Sequence, residues 1–378
     1  MRTLFFAFSV VLTLAWLAWR TRLRPSKAYG SVDAIVPAYN EELCIIDTVE
    51  RLLDNKYINK VIVVNDGSTD GTAAILDLLA CKYKRLLVIH KENGGKGSAL
   101  MAGVARCDAP YIFLTDADTI LPPEKEGLGY LIAEIQRGCD AVGGLPSSNL
   151  VGAGLLPYIR ATVKDPMIVI MRTFQQIVGG APFIISGACG MFRADVLRAV
   201  PFSDRTKVED LDLSWSLITQ GYKIRLSSRC IVYSQECNSF KAEWLRWRRW
   251  IIGYAVCMRL HRKLLLTRFG VFTIMPMFLV VVIGVTMIAT RFAPPLLAGQ
   301  FGQIPFLLFP LLWLAIAFTI ATISAVLHRN FWLIPLAPTG VFYLLFVYAV
   351  WLIHGVPALF TGREPARDKP TRYAHVVG

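Results

Sequence analysis

Two aspartates one residue apart, Asp116 and Asp118, close the apolar run Phe113-Leu-Thr-Asp-Ala-Asp-Thr119. A strand that delivers two carboxylates to its carboxyl end, where open α/β sheets bind ligands, can seat a hard divalent cation held on phosphate oxygens. A strand end followed by an Asp-rich turn gives the same spacing. A second acidic group, Val208-Glu-Asp-Leu-Asp212, opens a helical pattern. Carboxylates are favoured at a helix N-terminus, so one of its three is accounted for by that position alone. A third group lies in Lys241–Lys263, which holds seven basic residues and one acidic residue among Trp244, Trp247, Trp250, Ile251 and Tyr254. At helical spacing Trp244, Trp247, Ile251, Tyr254 and Met258 form an apolar stripe with basic flanks, suited to a membrane interface. Arg246, Arg249 and Trp250 stand at i, i+3 and i+4, so one face also presents guanidinium forks, which suit pyrophosphate, beside an indole, which suits the apolar face of a sugar ring.

These groups need a scaffold that brings strand ends together. Ser31–Glu41 reads as a short buried strand broken by Pro37, and Lys60–Asp70 as a second strand that opens into a turn. Helical patterns follow at about 41–53 and 70–80, and further strands at about 86–90 and 110–115. Strand alternating with helix predicts a mainly parallel sheet. Asn65-Asp66-Gly67-Ser68 at a strand end offers a carboxylate and backbone amides to a nucleotide, whereas Asp70 reads as a helix cap. Gly94, Gly95 and Gly97 around Lys96 permit close backbone approach but lack P-loop spacing. The region 146–182 carries Pro146, Gly152, Gly154 and Pro157 before an apolar run, and lies against the membrane or covers the site.

Pro37-Ala-Tyr-Asn-Glu41, Asn65-Asp-Gly-Ser68, Asn93-Gly-Gly-Lys-Gly97, Asp116-Ala-Asp118, Val208-Glu-Asp210 and Arg246-Trp-Arg-Arg-Trp250 occur in the order seen in glycosyltransferase family 2. Over roughly residues 31–265 the chain resembles the family's membrane-embedded synthases, which make poly-N-acetylglucosamine, hyaluronan, chitin and cellulose. The resemblance implies a GT-A-like α/β domain and an inverting, metal-dependent transfer from a UDP-sugar. It implies Asp210 as the base, with Glu209 beside it as a positioning or acceptor group, and Asp212 as a first-turn helix residue. It places Tyr39, Glu41, Asp66, Lys96, Asp116, Arg246 and Arg249 at the nucleotide-sugar, Trp250 at the acceptor, and Asp118 on Mg2+ or Mn2+. Tyr39 as buried packing fits the sequence nearly as well. Where those synthases carry Gln-x-x-Arg-Trp, this chain has Arg246 in place of the glutamine, a feature shared with relatives that glucosylate ceramide. The acceptor is accordingly a growing polysaccharide or, alternatively, a membrane lipid that receives one sugar. A non-catalytic membrane scaffold is the reading of another class, and UDP release separates it from both.

With 378 residues, 54% of them hydrophobic, and a mean hydropathy of +0.48, the chain is too apolar for an ordinary soluble domain, yet its middle is a normal α/β sequence. The sequence predicts an N-terminal anchor and basic flank (1–27), a cytoplasmic transferase domain (28–238), an amphipathic interfacial helix (239–266), a membrane region (267–356) and a basic tail (357–378). Leu4–Trp19 precedes Arg20, Arg22, Arg24 and Lys27, a charge order that fits an uncleaved anchor rather than a signal peptide. Apolar stretches at about 270–290, 304–327 and 331–354 are near the length that a hydrocarbon core of ~30 Å requires. Strict alternation puts the tail outside, whereas its Arg363, Arg367, Lys369 and Arg372 favour the inside; a re-entrant stretch broken at Pro276 or Pro305 reconciles the two. The eight cysteines form no C-x-x-C pattern and are expected to be reduced, buried thiols. The net charge of +13 concentrates beside apolar segments, which points to membrane lipids and away from nucleic acid. The plasma membrane is the expected location, and no accessory subunit is legible.

Overall fold

A computed structural model describes residues 23–123, 126–276 and 308–362, with isolated positions between 279 and 299. The expected anchor Leu4–Trp19 and the tail residues Arg363, Arg367, Lys369 and Arg372 lie outside the described residues, as do parts of the apolar stretches 270–290 and 304–327.

The chain alternates β1 (Val32–Ala38), α1 (Ile45–Leu53), β2 (Ile58–Asp66), α2 (Thr72–Lys82), β3 (Leu86–Lys91), α3 (Lys96–Val104) and β4 (Tyr111–Leu114). Then come β5 (Thr119–Ile120), α4 (Gly127–Gln136), β6 (Ala141–Ser148), α5 (Leu155–Phe174), β7 (Gly190–Arg193), α6 (Ala194–Ala199), α7 (Glu209–Thr219), β8 (Ile224–Ser234) and α8 (Phe240–Leu260). Two apolar helices follow, α9 (Leu308–His328) and α10 (Ala337–Thr361), the latter continuous through a wide turn at Trp351–Gly355.

Among the described residues the strands form one eight-stranded mixed sheet in the order β3-β2-β1-β4-β7-β6-β8-β5. Strands β3, β2, β1 and β4 are parallel neighbours, and β7 pairs antiparallel with β4 and β6. Period-2 alternation sends Ile35, Ile62, Val64, Ile112 and Leu114 to one face and Val36, Val61, Val63 and Phe113 to the other. The first face is covered by α3, α6, α7 and part of α8, and the second by α1, α2 and α4. Each such side chain, taken fully out of water, contributes about 1.5–3 kcal/mol. This is a GT-A-like α/β fold.

Pro37 does not break its strand. It keeps register with Val64 of β2, while pairing with β4 has already ended at Ile35↔Leu114, so its missing N–H removes no bond from that side. Region 146–182 contains α5, which packs on β6, α9 and α10. The apolar stripe of α8 also has a protein partner: Trp244, Trp247, Ile251 and Tyr254 pack against Phe346, Val347, Val350 and Trp351 of α10. An amphipathic sequence specifies an apolar neighbour without distinguishing lipid from another helix. The eight cysteines are unbonded thiols, seven of them buried, with Cys81 exposed.

Candidate active site

Strand order runs from β1 through β2 to β3 on one side and passes to β4 on the other, so a crevice opens at the carboxyl ends where the order reverses. Tyr39 and Glu41 follow β1, Asp66 ends β2, and Asp116 and Asp118 follow β4.

The first two loops are tied together. Asn40 adopts a left-handed φ of 54°, and its Oδ1 accepts the Thr69 N–H at 2.7 Å. Glu41 is buried and donates its N–H to Thr72 Oγ1 at 2.8 Å, while Tyr39 is 38% exposed at the crevice. Asp70, expected as a helix cap, stands one residue before the N-cap Gly71, which makes no side-chain cap; its Oδ1 accepts the Thr72 N–H at 3.0 Å and so ties the turn to the start of α2. Gly67 has φ +72°, and a Cβ there would lie 2.7 Å from Asn93 N, so this turn and the glycine loop approach each other backbone to backbone.

Asp66, expected at the nucleotide, holds that glycine loop. Its Oδ1 accepts the Gly94 N–H at 2.9 Å and its Oδ2 the Gly95 N–H at 2.8 Å, and Lys91 Nζ lies 2.6 Å from Oδ1. Lys91 escaped the motif reading because no motif includes it. The signal for it is register, since Asp66 and Lys91 are cross-strand partners at the ends of β2 and β3.

The glycine loop places Lys96 at the start of α3, where its ammonium joins groups far apart in sequence. Nζ lies 2.6 Å from Asp116 Oδ1 and 3.2 Å from Glu209 Oε1. Asp118 is buried, and the backbone beyond it is pinned by the antiparallel pair Thr119↔Ser234. Among the described residues no three His, Cys, Asp or Glu side chains gather into a metal cage. Asp118, with Asp116 two residues before it, offers carboxylate oxygens of the kind that Mg2+ takes one or two of, completing its shell with phosphates and water.

Glu209 and Asp210 begin α7. Asp210 Oδ2 accepts the Gly187 N–H at 3.0 Å and its Oδ1 the Leu211 N–H at 2.9 Å. A Cβ on Gly187 would sit 3.1 Å from Lys96 Nζ and 3.6 Å from Asp210 Oδ2, so the glycine lets its loop close on both groups. Burial, and then the charge of Glu209, push the Asp210 carboxyl above the ordinary range, against Lys96 and the Gly187 amide, which favour its ionised form. Asp212, one turn into the same helix, serves the scaffold. Burial opposes its charge, but His261 Nε2 at 2.7 Å, the Ser203 hydroxyl and the Arg205 guanidinium outweigh this and hold it below the ordinary range.

Tyr254 and Arg172 stand on the same side as Asp210. Burial, then Asp210, pushes the Tyr254 phenol up, and burial depresses the Arg172 guanidinium, with Tyr254 and Asp210 acting against it. Arg172 Nη1 is buried without a hydrogen-bond partner. The sequence reading took Tyr254 only as part of the apolar stripe of α8 and did not single out Arg172, which lies in no motif.

The α8 residues divide. Arg249 and Trp250 are half-buried on one helical face. Arg246, expected beside the diphosphate, has its guanidinium engaged by Glu236 Oε2 at 2.8 Å and by Glu243. Glu236 lies beyond the end of β8 and Glu243 one helical turn before Arg246, carboxylates that the basic look of the segment obscured.

Residues 33–200 match the family described as Glycosyl transferase family 2. Across its whole length the chain is 54% identical to the "Uncharacterized glycosyltransferase YaiP" of Escherichia coli (strain K12), covering 95% of that protein. Over 223 residues it is 28% identical to poly-beta-1,6-N-acetyl-D-glucosamine synthase of Staphylococcus aureus (strain COL), a match that covers 58% of this chain and 53% of the synthase. The solved mannosyltransferase PcManGT from Pyrobaculum calidifontis, in complex with GDP-Man and Mn2+, shares the fold at a TM-score of 0.54 and 18% identity, over 89% of this chain and 95% of that one.

Proposed function

The chain belongs to glycosyltransferase family 2, and we propose that it moves a sugar from a UDP-sugar, with inversion, onto a growing polysaccharide at the membrane. One observation carries this reading: Lys96 bridges Asp116 and Glu209, so the metal-side carboxylates and the base-side carboxylates form a single site. UDP-N-acetylglucosamine is the proposed donor, on the strength of the name of the Staphylococcus aureus relative, whose length this chain matches over about half.

Asp210 takes the proton of the acceptor hydroxyl as that oxygen attacks the anomeric carbon from the face opposite the departing UDP. Its carboxyl, raised above the ordinary range by burial and Glu209, has the greater affinity for a proton that a general base needs. Gly187 N–H and Lys96 keep it ionised and oriented before attack. Glu209 holds Lys96 from the base side. A divalent cation on Asp118, Mg2+ or Mn2+, would neutralise charge on the departing diphosphate. Arg249 adds a cation there, Tyr39 and Glu41 meet the base and ribose, and Asp66 fixes the loop that lines the nucleotide. Trp250 offers its indole face to the acceptor sugar.

Membrane attachment is supported by α10, the one helix among the described residues long and apolar enough to cross a bilayer. Its 25 residues span about 37 Å at ~1.5 Å per residue. Phe342, Leu345, Ile353 and Phe360 on it are more than half exposed, as a lipid-facing surface would be. Transfer of a single sugar to a membrane lipid is the second reading, favoured by Arg246 in place of the glutamine. Incubating the purified protein with labelled UDP-sugars and sizing the product tests both: a ladder or smear supports polymer synthesis, one lipid-soluble species supports the second reading, and no UDP release with any donor refutes both.

A further inference from the structure

Two guanidinium groups from different helices lie over the indole of Trp250, with Arg160 Cζ 5.5 Å and Arg246 Cζ 5.4 Å from the ring centroid. Trp247 meets the same indole edge-on at 5.3 Å and 84°. Neither guanidinium is free to wander. Arg160, 6% exposed, is held by Glu236 Oε2 at 3.1 Å and Glu243 Oε1 at 2.9 Å, and Arg246 is held by the same two carboxylates. Lys164 Nζ and Ser148 Oγ complete Glu236 at 2.6 and 2.7 Å. Charge–indole contacts of this kind strengthen when shielded from water.

The network reaches the apolar helix through one hydroxyl. Tyr343 of α10 donates its O–H to Glu243 Oε1 and accepts the Trp247 Nε1–H at 2.7 Å. Glu243 and Trp247 both belong to the cage around Trp250, one through the guanidiniums and one by ring contact. Burying three cations on two carboxylates costs desolvation that a hydrophobic cluster of equal volume would avoid. What the polar arrangement adds is a fixed geometry, because each fork has one position satisfying its partners.

We propose that Arg160 and Tyr343 are positioning residues for Trp250, so that the seating of the apolar helix α10 against α8 sets how well the enzyme uses its acceptor. The proposal rests on the reading of Trp250 as the acceptor's stacking platform. Tyr343→Phe keeps the ring and its packing and removes only the hydroxyl. Arg160→Lys keeps the charge and removes the planar fork, avoiding the two unpaired buried carboxylates that an apolar substitution would leave.

Full-length protein labelled with 5-fluorotryptophan gives a fluorine spectrum in which Trp250→Phe identifies the Trp250 resonance. Both variants should shift that resonance and leave Trp215, which is buried in the core of the transferase domain, unmoved. With the labelled UDP-sugar selected by the donor panel and a detergent-solubilised bacterial membrane extract, Tyr343→Phe should lower transfer about tenfold, the equivalent of one hydrogen bond to a charged group. Release of UDP to water should stay unchanged. In a Trp250→Phe background the same substitution should add nothing, because its effect runs through the indole. An unmoved Trp250 resonance in both variants overturns the proposal. A shifted resonance with transfer equal in wild type, Trp250→Phe and Tyr343→Phe overturns the acceptor role of Trp250 and leaves the mechanical link as the finding.

Discussion

Replacing Lys96 with Met removes the ammonium that joins the two halves of the site. In wild type Nζ lies 2.6 Å from Asp116 and 3.2 Å from Glu209. It is also no more than about 7 Å from Asp210 Oδ2, since a Gly187 Cβ would fall within 3.6 Å of both atoms. At that separation and an effective dielectric of ~20, the attraction between Lys96 and an ionised Asp210 is about 2 kcal/mol. Solvent at the partly exposed Asp210 screens this attraction downward. Without the ammonium the base holds its proton more tightly, and burial and Glu209 already push it that way. The sign follows: a general base works only when deprotonated, so activity is lost as pH falls through its pKa, and the Met variant should lose it at higher pH than wild type. On the acid side the ionised fraction should drop about 30-fold, as ~2 kcal/mol implies, and recover in more alkaline buffer. The assay is kcat/KM for transfer against pH with donor saturating. A variant whose KM for donor rises while the acid limb stays in place would refute the electrostatic role and leave Lys96 as a donor-binding residue only.

Three further outcomes follow from the geometry. Asp118→Asn removes the charge expected to hold the cation and should cost orders of magnitude in turnover with the fold intact by circular dichroism; undiminished turnover in excess chelator would contradict it. Arg249→Ala should depress donor use, including slow hydrolysis, whereas Trp250→Ala should spare hydrolysis and impair transfer, so hydrolysis and transfer that fall in parallel in both variants would show a purely structural segment. Asp212→Asn breaks the cluster with His261, Ser203 and Arg205 and should cost about 3 kcal/mol of stability at neutral pH. Because the folded state depresses this carboxyl, its contribution is present above the unfolded value near ~3.9 and lost as pH falls through the folded value, so melting curves of the variant and wild type should converge in acid.

The sequence discloses the sheet where period and position agree. The apolar runs within Ser31–Glu41 and Lys60–Asp70 and the aspartates that close β2 and follow β4 were legible because a buried parallel strand reads as a near-continuous apolar run and its ligands sit at its carboxyl end. The cysteines as thiols were legible for equally local reasons, whereas the cap position fell to Gly71 and not to Asp70. Long-range pairings were not. Nothing within ten residues of Lys96 announces that Asp116 and Glu209 will share it, and nothing near Arg246 shows that Glu236 will take its guanidinium. The stripe on α8 was visible as apolar, but that α10 covers it is set by how the chain returns from residue 337.

The comparison of wild type with Asp210→Asn tests the central claim most directly. The substitution keeps the shape of the side chain and removes its affinity for a proton. Calorimetric titration with UDP and transfer of label from a UDP-sugar should separate: UDP affinity stays within about twofold, and transfer falls by at least the ~10²-fold of a lost general base. Near-normal transfer, or UDP affinity lost in step with it, would show that Asp210 is not the base and that the site works by a different division of its carboxylates.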